Sequence, residues 1–358
     1  MYRRLSEAAY LHWLFRQPAD NTTQPYKFAY GRTALKYGLK CLGLDNAVGS
    51  AQFKILIPSF ICEVVPQALE QLGIKPVFYE VTPNLTPVWS QVESLISNDV
   101  KGLMIVHYFG HAQDINFCEK FCKNHGILLI EDNAHGYGSK YNGQALGTFG
   151  DLGIVSVHKT YPLLNGAYLY LKNNFLNIPN LPLEPCNIFF KQFKKWVKQI
   201  VGFVPVLEKN IRKKYDYASQ NEFREPMVPD YVMDSATHLF IQNQNLEFNS
   251  NIRRRIYYIW QKWAELQNLV SVWSNLAEEA VPMNYAAWVT SNEQRKKWFK
   301  WGYENGIDIH SWPTLPREVI QSNSNALKYW EKLICFPIHS GMNPEQLERK
   351  LNKLSFKE

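Results

Sequence analysis

A carboxylate, an imidazole and an amine lie close together in the sequence, as Asp132, His135 and Lys159. A carboxylate after an apolar run can bind a metal ion, anchor a ligand, pair with a protonated ring nitrogen, or simply cap a loop. A lone histidine is more often a hydrogen-bonding group than a catalyst. A lysine that emerges from a buried strand can form a Schiff base, although many such lysines only face solvent. These three residues alone leave the chemistry open.

The elements that must position these residues are short apolar runs that alternate with helix-length stretches between Gln52 and Leu171. Such runs predict buried parallel strands of an α/β sheet. They lie at 53–57, 76–81, 103–107 and 127–130, and two closely spaced runs at 153–157 and 167–171 predict an antiparallel edge. Ligands of open α/β sheets bind outside the carboxyl ends of the strands. Asp132 and Lys159 each follow a run, so both are expected at that edge.

The second half of the chain changes in composition. Residues 173–185 are rich in Asn, Pro and Leu and predict a linker or loop. One or two long helices are expected over 234–269. Asn343 suits a helix N-cap, with Pro344 at the first position of a helix that reaches Leu354.

The segment from Phe189 to Val204 predicts a basic amphipathic helix. Apolar residues recur at helical spacing, and lysines lie between them at positions 191, 194, 195 and 198. Such a helix could lie on a membrane surface or meet an anionic partner. We favour packing on its own domain with the lysines in solvent, because this pattern is ordinary for surface helices.

The composition of the 358 residues is that of a globular protein of about two domains, with 46% apolar and 20% charged residues. The net charge of +7 suits anionic ligands but is too small to indicate nucleic-acid binding. Cys118 and Cys122 lack companions at zinc-ligand spacing, so no metal site is expected. With no signal peptide and no apolar run of ~18 residues, a cytoplasmic protein is expected.

Seven short motifs occur in one order along the chain. They are Gly31-Arg-Thr-Ala-Leu35, Pro58-Ser-Phe60, Tyr108-Phe-Gly-His111, Glu131-Asp-Asn-Ala-His-Gly136, Gly147-Thr-Phe-Gly-Asp151, Ser156-Val-His-Lys159 and Pro337-Ile-His-Ser-Gly341. Together they resemble the DegT/DnrJ/EryC1/StrS family of sugar aminotransferases, which use pyridoxal 5′-phosphate (PLP). The resemblance is strong over 25–172, weak over 173–230, and returns over 231–354.

The resemblance implies fold type I, the aspartate aminotransferase fold of PLP enzymes. A large, mainly parallel sheet domain would span 20–235, with an inserted basic segment at about 186–215. A smaller C-terminal α+β domain would span 236–358, and residues 1–19 could join it. The family builds its site between two subunits, which implies a homodimer. Where the family has Asn-Tyr-Arg-Met to reach the partner's site, this chain has Asp230-Tyr-Val-Met233, so that contact stays open.

The resemblance assigns the chemical roles to three residues. Lys159 would hold the cofactor covalently and then act as the base that moves a proton between substrate and cofactor. Asp132 would pair with the pyridinium nitrogen and keep the ring protonated. His135 would contact the ring hydroxyl.

Further residues would hold the cofactor's phosphate and ring. Ser156 matches the family's phosphate-binding serine, and Arg32 and Thr33 would bind the same phosphate from the start of a helix at Thr33. The family's stacking aromatic falls on Cys62, so Phe60 or Tyr108 would have to take that role.

The lysine loop departs from the family pattern. The family places the serine five residues before the lysine, whereas Ser156 precedes Lys159 by three, and that count would select Tyr161. Counting back from Gly166 selects Lys159. We prefer this second count, because a tyrosine cannot form the covalent bond.

The resulting functional prediction is amino transfer from an amino acid, with glutamate preferred, to a keto group of a nucleotide-linked sugar. The product would serve polysaccharide, glycan or secondary-metabolite synthesis. Family members that dehydrate sugars typically carry histidine in place of the lysine, and here His158 and Lys159 are adjacent. An inactive binding protein is a third alternative, supported by the short lysine loop and by Cys62. The sequence does not name the sugar, the aminated carbon or the donor.

Overall fold

The computed structural model describes most of the chain as an α/β protein. The described residues are 25–45, 53–161, 163–172, 181–183, 228–312, 314–322 and 324–356. The predicted basic helix at 189–204, the inserted segment at 186–215 and residues 1–19 lie outside them.

The described residues form a seven-stranded sheet that carries the N-terminal half of the chain. Its strands are β1 (Tyr26–Phe28), β2 (Lys54–Pro58), β3 (Lys75–Tyr79), β4 (Val100–Val106), β5 (Leu128–Asp132), β8 (Leu152–Val155) and β9 (Ala167–Leu171). Between β5 and β8, β6 (Lys140–Tyr141) and β7 (Gln144–Ala145) form a separate two-stranded ribbon. The sheet order is β1-β9-β8-β5-β4-β2-β3.

The strand directions confirm the predicted fold class. Strands β3, β2, β4, β5 and β8 pair in parallel, while β9 is antiparallel to both β8 and β1. The central strands are mainly apolar because both faces of the sheet are covered, and six of the seven residues of β4 are buried. Strand β1 was not predicted from the sequence, because three residues are too few to show a period.

Ten helices accompany these strands in the described residues. They are α1 (Gly31–Cys41), α2 (Val64–Glu70), α3 (Trp89–Ser94), α4 (Ile115–His125), α5 (Ser235–Gln242), α6 (Leu246–Leu266), α7 (Asn292–Glu304), α8 (Arg317–Gln321), α9 (Asn325–Lys332) and α10 (Pro344–Leu351). The region 234–269 holds two helices, as one of the predicted alternatives has it. The Asn343 side chain accepts a hydrogen bond from the Gln346 amide at 2.9 Å, which confirms the predicted N-cap of α10.

The C-terminal part contains a smaller antiparallel sheet of β10 (Val270–Ser271), β11 (Asn284–Trp288) and β12 (Leu333–Pro337). It packs with α6, α7 and α10 around an aromatic core that includes Trp260, Trp298 and Phe336. Other C-terminal side chains, such as Trp312 and Trp330, belong to the core of the large sheet. The proposed domain boundary at 235/236 therefore stays a prediction. In the described part of the chain, no helix is both long enough and apolar enough to cross a membrane.

Candidate active site

The site lies at the carboxyl ends of the parallel strands, as the sequence predicts. Asp132 ends β5, between Val106 of β4 and Ile154 of β8. The ladder continues beyond the strands, because the His107 amide donates to the Asp132 carbonyl at 3.0 Å and the Asn133 amide to the Ile154 carbonyl at 2.8 Å. The segments that follow β4, β5 and β8 therefore start side by side.

Asp132 carries a buried carboxylate on which the charge of Lys159 acts. Its Oδ1 accepts a hydrogen bond from the Ala134 amide at 2.9 Å. Burial raises the pKa of Asp132, while the positive charge of Lys159 is the largest opposing influence. The two predicted residues thus lie within electrostatic reach of each other, although 26 positions separate them in the sequence.

Lys159 ends a single 3₁₀ turn, Val157–Lys159, that begins directly after Ser156. The Lys159 side chain is exposed, and its amide donates to the Ser156 carbonyl at 3.1 Å. Gly166 closes the loop: its φ of +129° is one that only glycine adopts without strain. The Gly166 amide donates to the Ala29 carbonyl at 2.7 Å, which ties the loop to the end of β1.

His135 is a buried, neutral imidazole. Its Nδ1 accepts a hydrogen bond from the Phe109 amide at 3.3 Å, so the ring proton lies on Nε2. Burial lowers the pKa of His135 well below its ordinary value, and the nearby charge of Lys159 lowers it further. The structure therefore brings Asp132, His135 and Lys159 together, with His135 able to donate a hydrogen bond from Nε2.

The backbone of Phe109 makes this arrangement possible. Phe109 has a φ of +53°, a left-handed conformation that is unusual for an aromatic residue. Its amide donates a hydrogen bond to His135 Nδ1, and its carbonyl accepts one from the Met283 amide at 2.9 Å. The C-terminal part of the chain thereby fixes the turn that holds His135.

Glu131, next to Asp132, supports the site from the opposite face of β5 because successive strand residues alternate in direction. It is fully buried and accepts a hydrogen bond from His107 Nε2 at 3.0 Å. It also accepts from the backbone amides of Gly147, Phe149 and Gly150, at 2.9, 2.7 and 2.6 Å. The roles of Glu131 and His107 were not predicted from the sequence. The available signal was the pair of adjacent carboxylates at the end of an apolar strand.

An aromatic cluster closes one side of the site. Trp312 contacts Phe60, Tyr108, Phe109 and His135, with ring centroids 4.8, 5.7, 5.8 and 5.2 Å away. The Phe60 side chain is fully buried in this cluster, so stacking of Phe60 on a ligand would require the cluster to rearrange. That role stays a prediction. Sequence reasoning missed Trp312, since nothing near it in the sequence marks it.

The start of α1 lies against Ser156. A Cβ added to Gly31 would lie 2.8 Å from Ser156 Oγ, so glycine permits this close approach. The Tyr30 side chain makes no capping hydrogen bond to α1, and the start of a helix favours an anion. Arg32, which is half-buried, lies 5.5 Å from the Tyr30 ring centroid.

Thr33 has a different contact from the one predicted. Its hydroxyl donates to Asp230 Oδ1 at 3.2 Å, and Lys36 Nζ lies 2.6 Å from the same oxygen. In this structure the aspartate of the Asp230–Met233 segment is thus bound within its own chain. To bind a phosphate, the Thr33 hydroxyl would have to give up its hydrogen bond to Asp230. Phosphate binding by Thr33 therefore stays a prediction.

The segment that contains Asp132, His135 and Lys159 matches a known protein family. Residues 27–167 match the DegT/DnrJ/EryC1/StrS aminotransferase family. The match spans less than half of the chain. All seven predicted site residues lie inside the family segment, whereas Asp230 and Trp312 lie outside it.

Curated relatives match over part of their length. A pleiotropic regulatory protein of Geobacillus stearothermophilus is 30% identical over 152 residues, which cover 39% of this chain and 39% of the relative. A GDP-perosamine synthase of Vibrio cholerae is 31% identical over 137 residues, which cover 38% and 36%. The matched segment thus spans less than two-fifths of these relatives.

Solved structures match over nearly the whole chain. A DegT DnrJ EryC1 StrS aminotransferase from Brucella abortus superposes with a TM-score of 0.66 at 16% identity, covering 96% of this chain and 88% of that one. Helicobacter pylori PseC, an aminotransferase of pseudoaminic acid biosynthesis, gives a TM-score of 0.65 at 15% identity, covering 93% and 86%. These likenesses establish the fold of the family segment and of the C-terminal part.

Proposed function

We propose that this chain is a PLP-dependent aminotransferase that moves an amino group from an amino acid, with glutamate preferred, to a keto group of a nucleotide-linked sugar. The observation that carries the proposal is that Asp132, at the end of β5, His135 and the turn that bears Lys159 lie together at the strand ends, with the Lys159 charge within electrostatic reach of both side chains. The family match over 27–167 supports it.

The residues present fit PLP. Asp132 is buried with one oxygen held by the Ala134 amide, which leaves its second oxygen to accept from a ring N–H. Since burial alone penalises the Asp132 charge, a cationic ring partner would offset that penalty. His135 offers Nε2–H to a ring oxygen, and the start of α1 with Ser156 offers donors to a phosphate.

When bound, PLP supplies an electron sink for the bond that breaks at the amino carbon. Asp132 would supply the negative charge that keeps the ring nitrogen protonated. Lys159 would hold the cofactor covalently, and its free Nζ would be the base that takes up and returns the proton at the substrate carbon. The exposure of the Lys159 side chain leaves its amine accessible to a substrate.

The substrate class is proposed from the relatives' names. Among them are the Vibrio cholerae GDP-perosamine synthase and a dTDP-4-dehydro-2,3,6-trideoxy-D-glucose 4-aminotransferase of Saccharopolyspora spinosa, which is 33% identical over 113 residues. A Streptococcus pneumoniae protein assigned as a sugar aminotransferase has been solved in a PLP form, with a TM-score of 0.67 and 17% identity. A cytoplasmic homodimer acting in glycan or secondary-metabolite synthesis is part of the proposal.

The geometry favours amino transfer over dehydration. A 3-dehydratase from Saccharopolyspora spinosa is also similar, at 26% identity over 150 residues. However, the charge of Lys159 acts on both Asp132 and His135. His158 Nδ1 lies 3.2 Å from the Gly166 carbonyl, within the loop.

The half-reactions test the function. Glutamate should bleach the visible band of the PLP-loaded chain, and one member of a panel of GDP-, dTDP- and UDP-linked keto sugars should restore it and gain an amino group by mass spectrometry. A sugar that loses a hydroxyl group instead would identify a dehydratase. A band that no amino acid changes would indicate a binding protein.

A further inference from the structure

Arg253 is a buried arginine whose guanidinium joins three separate parts of the chain. It lies on α6 and is 2% exposed. Its Nη1 donates to the carbonyls of Pro282 and Ile338 at 2.9 and 3.1 Å, and its Nη2 donates to the carbonyl of Thr160 at 2.7 Å. Pro282 precedes β11, and Ile338 directly follows β12.

The third acceptor belongs to the turn that carries Lys159. Thr160 follows Lys159 directly, and its amide donates to the Val157 carbonyl at 2.9 Å. Arg253 therefore holds the end of this 3₁₀ turn from outside. A second residue of α6 reinforces the contact, because Asn249 Nδ2 donates to the Tyr161 hydroxyl at 3.3 Å.

The contact is made by a charged group without a countercharge. Within the described residues, no carboxylate lies within ion-pair distance of Arg253, and its Nε has no hydrogen-bond partner. Burial lowers the pKa of Arg253 to about 10. A buried cation is costly unless dipoles stabilise it, and here three carbonyl dipoles do so. A planar guanidinium can bind all three at fixed angles, which a single ammonium cannot.

We propose that Arg253 is a positioning residue for Lys159. It fixes the turn that carries Lys159 against the start of β11 and the end of β12, so that the amine stays within electrostatic reach of Asp132 and His135. The inference rests on the proposed function, since it assigns to Arg253 the placement of the amine that binds PLP.

The test compares two forms of the cofactor. PLP carries a carbonyl group and needs a well-placed Lys159 to attach, whereas pyridoxamine 5′-phosphate (PMP) has no carbonyl and binds without that bond. Full-length Arg253→Met should bind PLP about tenfold or more weakly by visible absorbance, since small misplacements of a reacting group have large effects. Its affinity for PMP, followed by tryptophan fluorescence, should change by less than about twofold.

The matched control is the neighbouring arginine. Arg254 lies on the same helix and its Nη1 donates to the carbonyls of Ala277 and Ala280, at 2.8 and 2.7 Å, away from the lysine turn. Arg254→Met should leave the affinities for PLP and PMP unchanged. Arg253→Lys keeps the charge but cannot reach all three carbonyls, so it should show an intermediate loss of PLP affinity.

Each other outcome overturns the inference. Equal losses for PLP and PMP would mean that Arg253 supports the pocket in general, and unchanged PLP affinity would mean that it has no role in attachment. If both Arg253 variants lose their helical circular dichroism while Arg254→Met folds, Arg253 is a residue of the fold only. If the wild-type chain itself does not attach PLP, the proposed function fails and the inference fails with it.

Discussion

The adjacent carboxylates of Glu131 and Asp132 differ in their hydrogen-bond partners and therefore in their roles. Glu131 is fully buried and satisfied by three backbone amides and His107. Asp132, on the opposite face of β5, accepts one amide hydrogen bond and lies within electrostatic reach of Lys159. The first carboxylate stabilises the loop under the site, and the second is left to act on a ligand.

Asp132→Asn should keep PLP bound but reduce amino transfer by about 10²–10³-fold, as expected when one electrostatic contact to a developing charge is lost. The amide cannot carry the charge that holds the ring proton. Single-turnover kinetics with glutamate measure the effect. Turnover equal to that of the wild type would show that Asp132 is not the partner of the ring nitrogen.

For the cofactor-free protein, the raised pKa of Asp132 also predicts how Asp132→Asn changes the stability of the fold with pH. Burial raises the pKa of Asp132 in the folded state, so the folded chain binds this proton more tightly than the unfolded chain. The contribution of Asp132 to stability therefore falls as pH rises from the unfolded pKa through the raised folded pKa. Cofactor-free Asp132→Asn should melt higher than the wild type at neutral pH, and the difference should shrink in acid. Melting curves across pH measure it, and a lower melting temperature for the variant at neutral pH would contradict it.

At the scale of elements, α1 closely approaches Ser156, the residue that follows β8. Gly31→Ala would place a Cβ 2.8 Å from Ser156 Oγ. We expect a loss of about 1–3 kcal/mol in the free energy of unfolding, as for other overpacked positions. Urea unfolding measures it.

A double-mutant cycle separates this contact from other effects of the alanine. Ser156→Ala removes the Oγ that the new methyl group meets, so Gly31→Ala should cost less in that background. If Gly31→Ala lowers the free energy of unfolding equally in both backgrounds, the contact with Ser156 Oγ is not the reason for glycine at position 31.

The elements that the sequence predicted correctly are those with a strong local signal. The runs at 153–157 and 167–171 form the antiparallel pair β8 and β9, and the N-cap of α10 is a property of adjacent residues. Helix α1 begins at Gly31, two residues before the predicted start. Strand β1 was missed because its three residues gain stability only by pairing with β9, which follows far along the chain.

At the scale of the whole molecule, the C-terminal part completes the site. Trp312 packs on His135, Met283 holds the carbonyl of Phe109, and Arg253 holds the lysine turn. These contacts join residues more than 90 positions apart, and no local pattern reveals them. The sequence could place Asp132, His135 and Lys159 because strand ends share one edge of a sheet, but the groups that orient them come from tertiary packing.

The central claim is that Lys159 is the residue that binds PLP covalently. Borohydride reduction of the PLP-treated wild-type chain, followed by peptide mapping, tests it most directly. We predict one modified peptide with the label on Lys159, and no label in Lys159→Ala, which should keep its fold because the side chain is exposed. A label on another lysine, such as Lys140, or equal labelling of Lys159→Ala, would contradict the account.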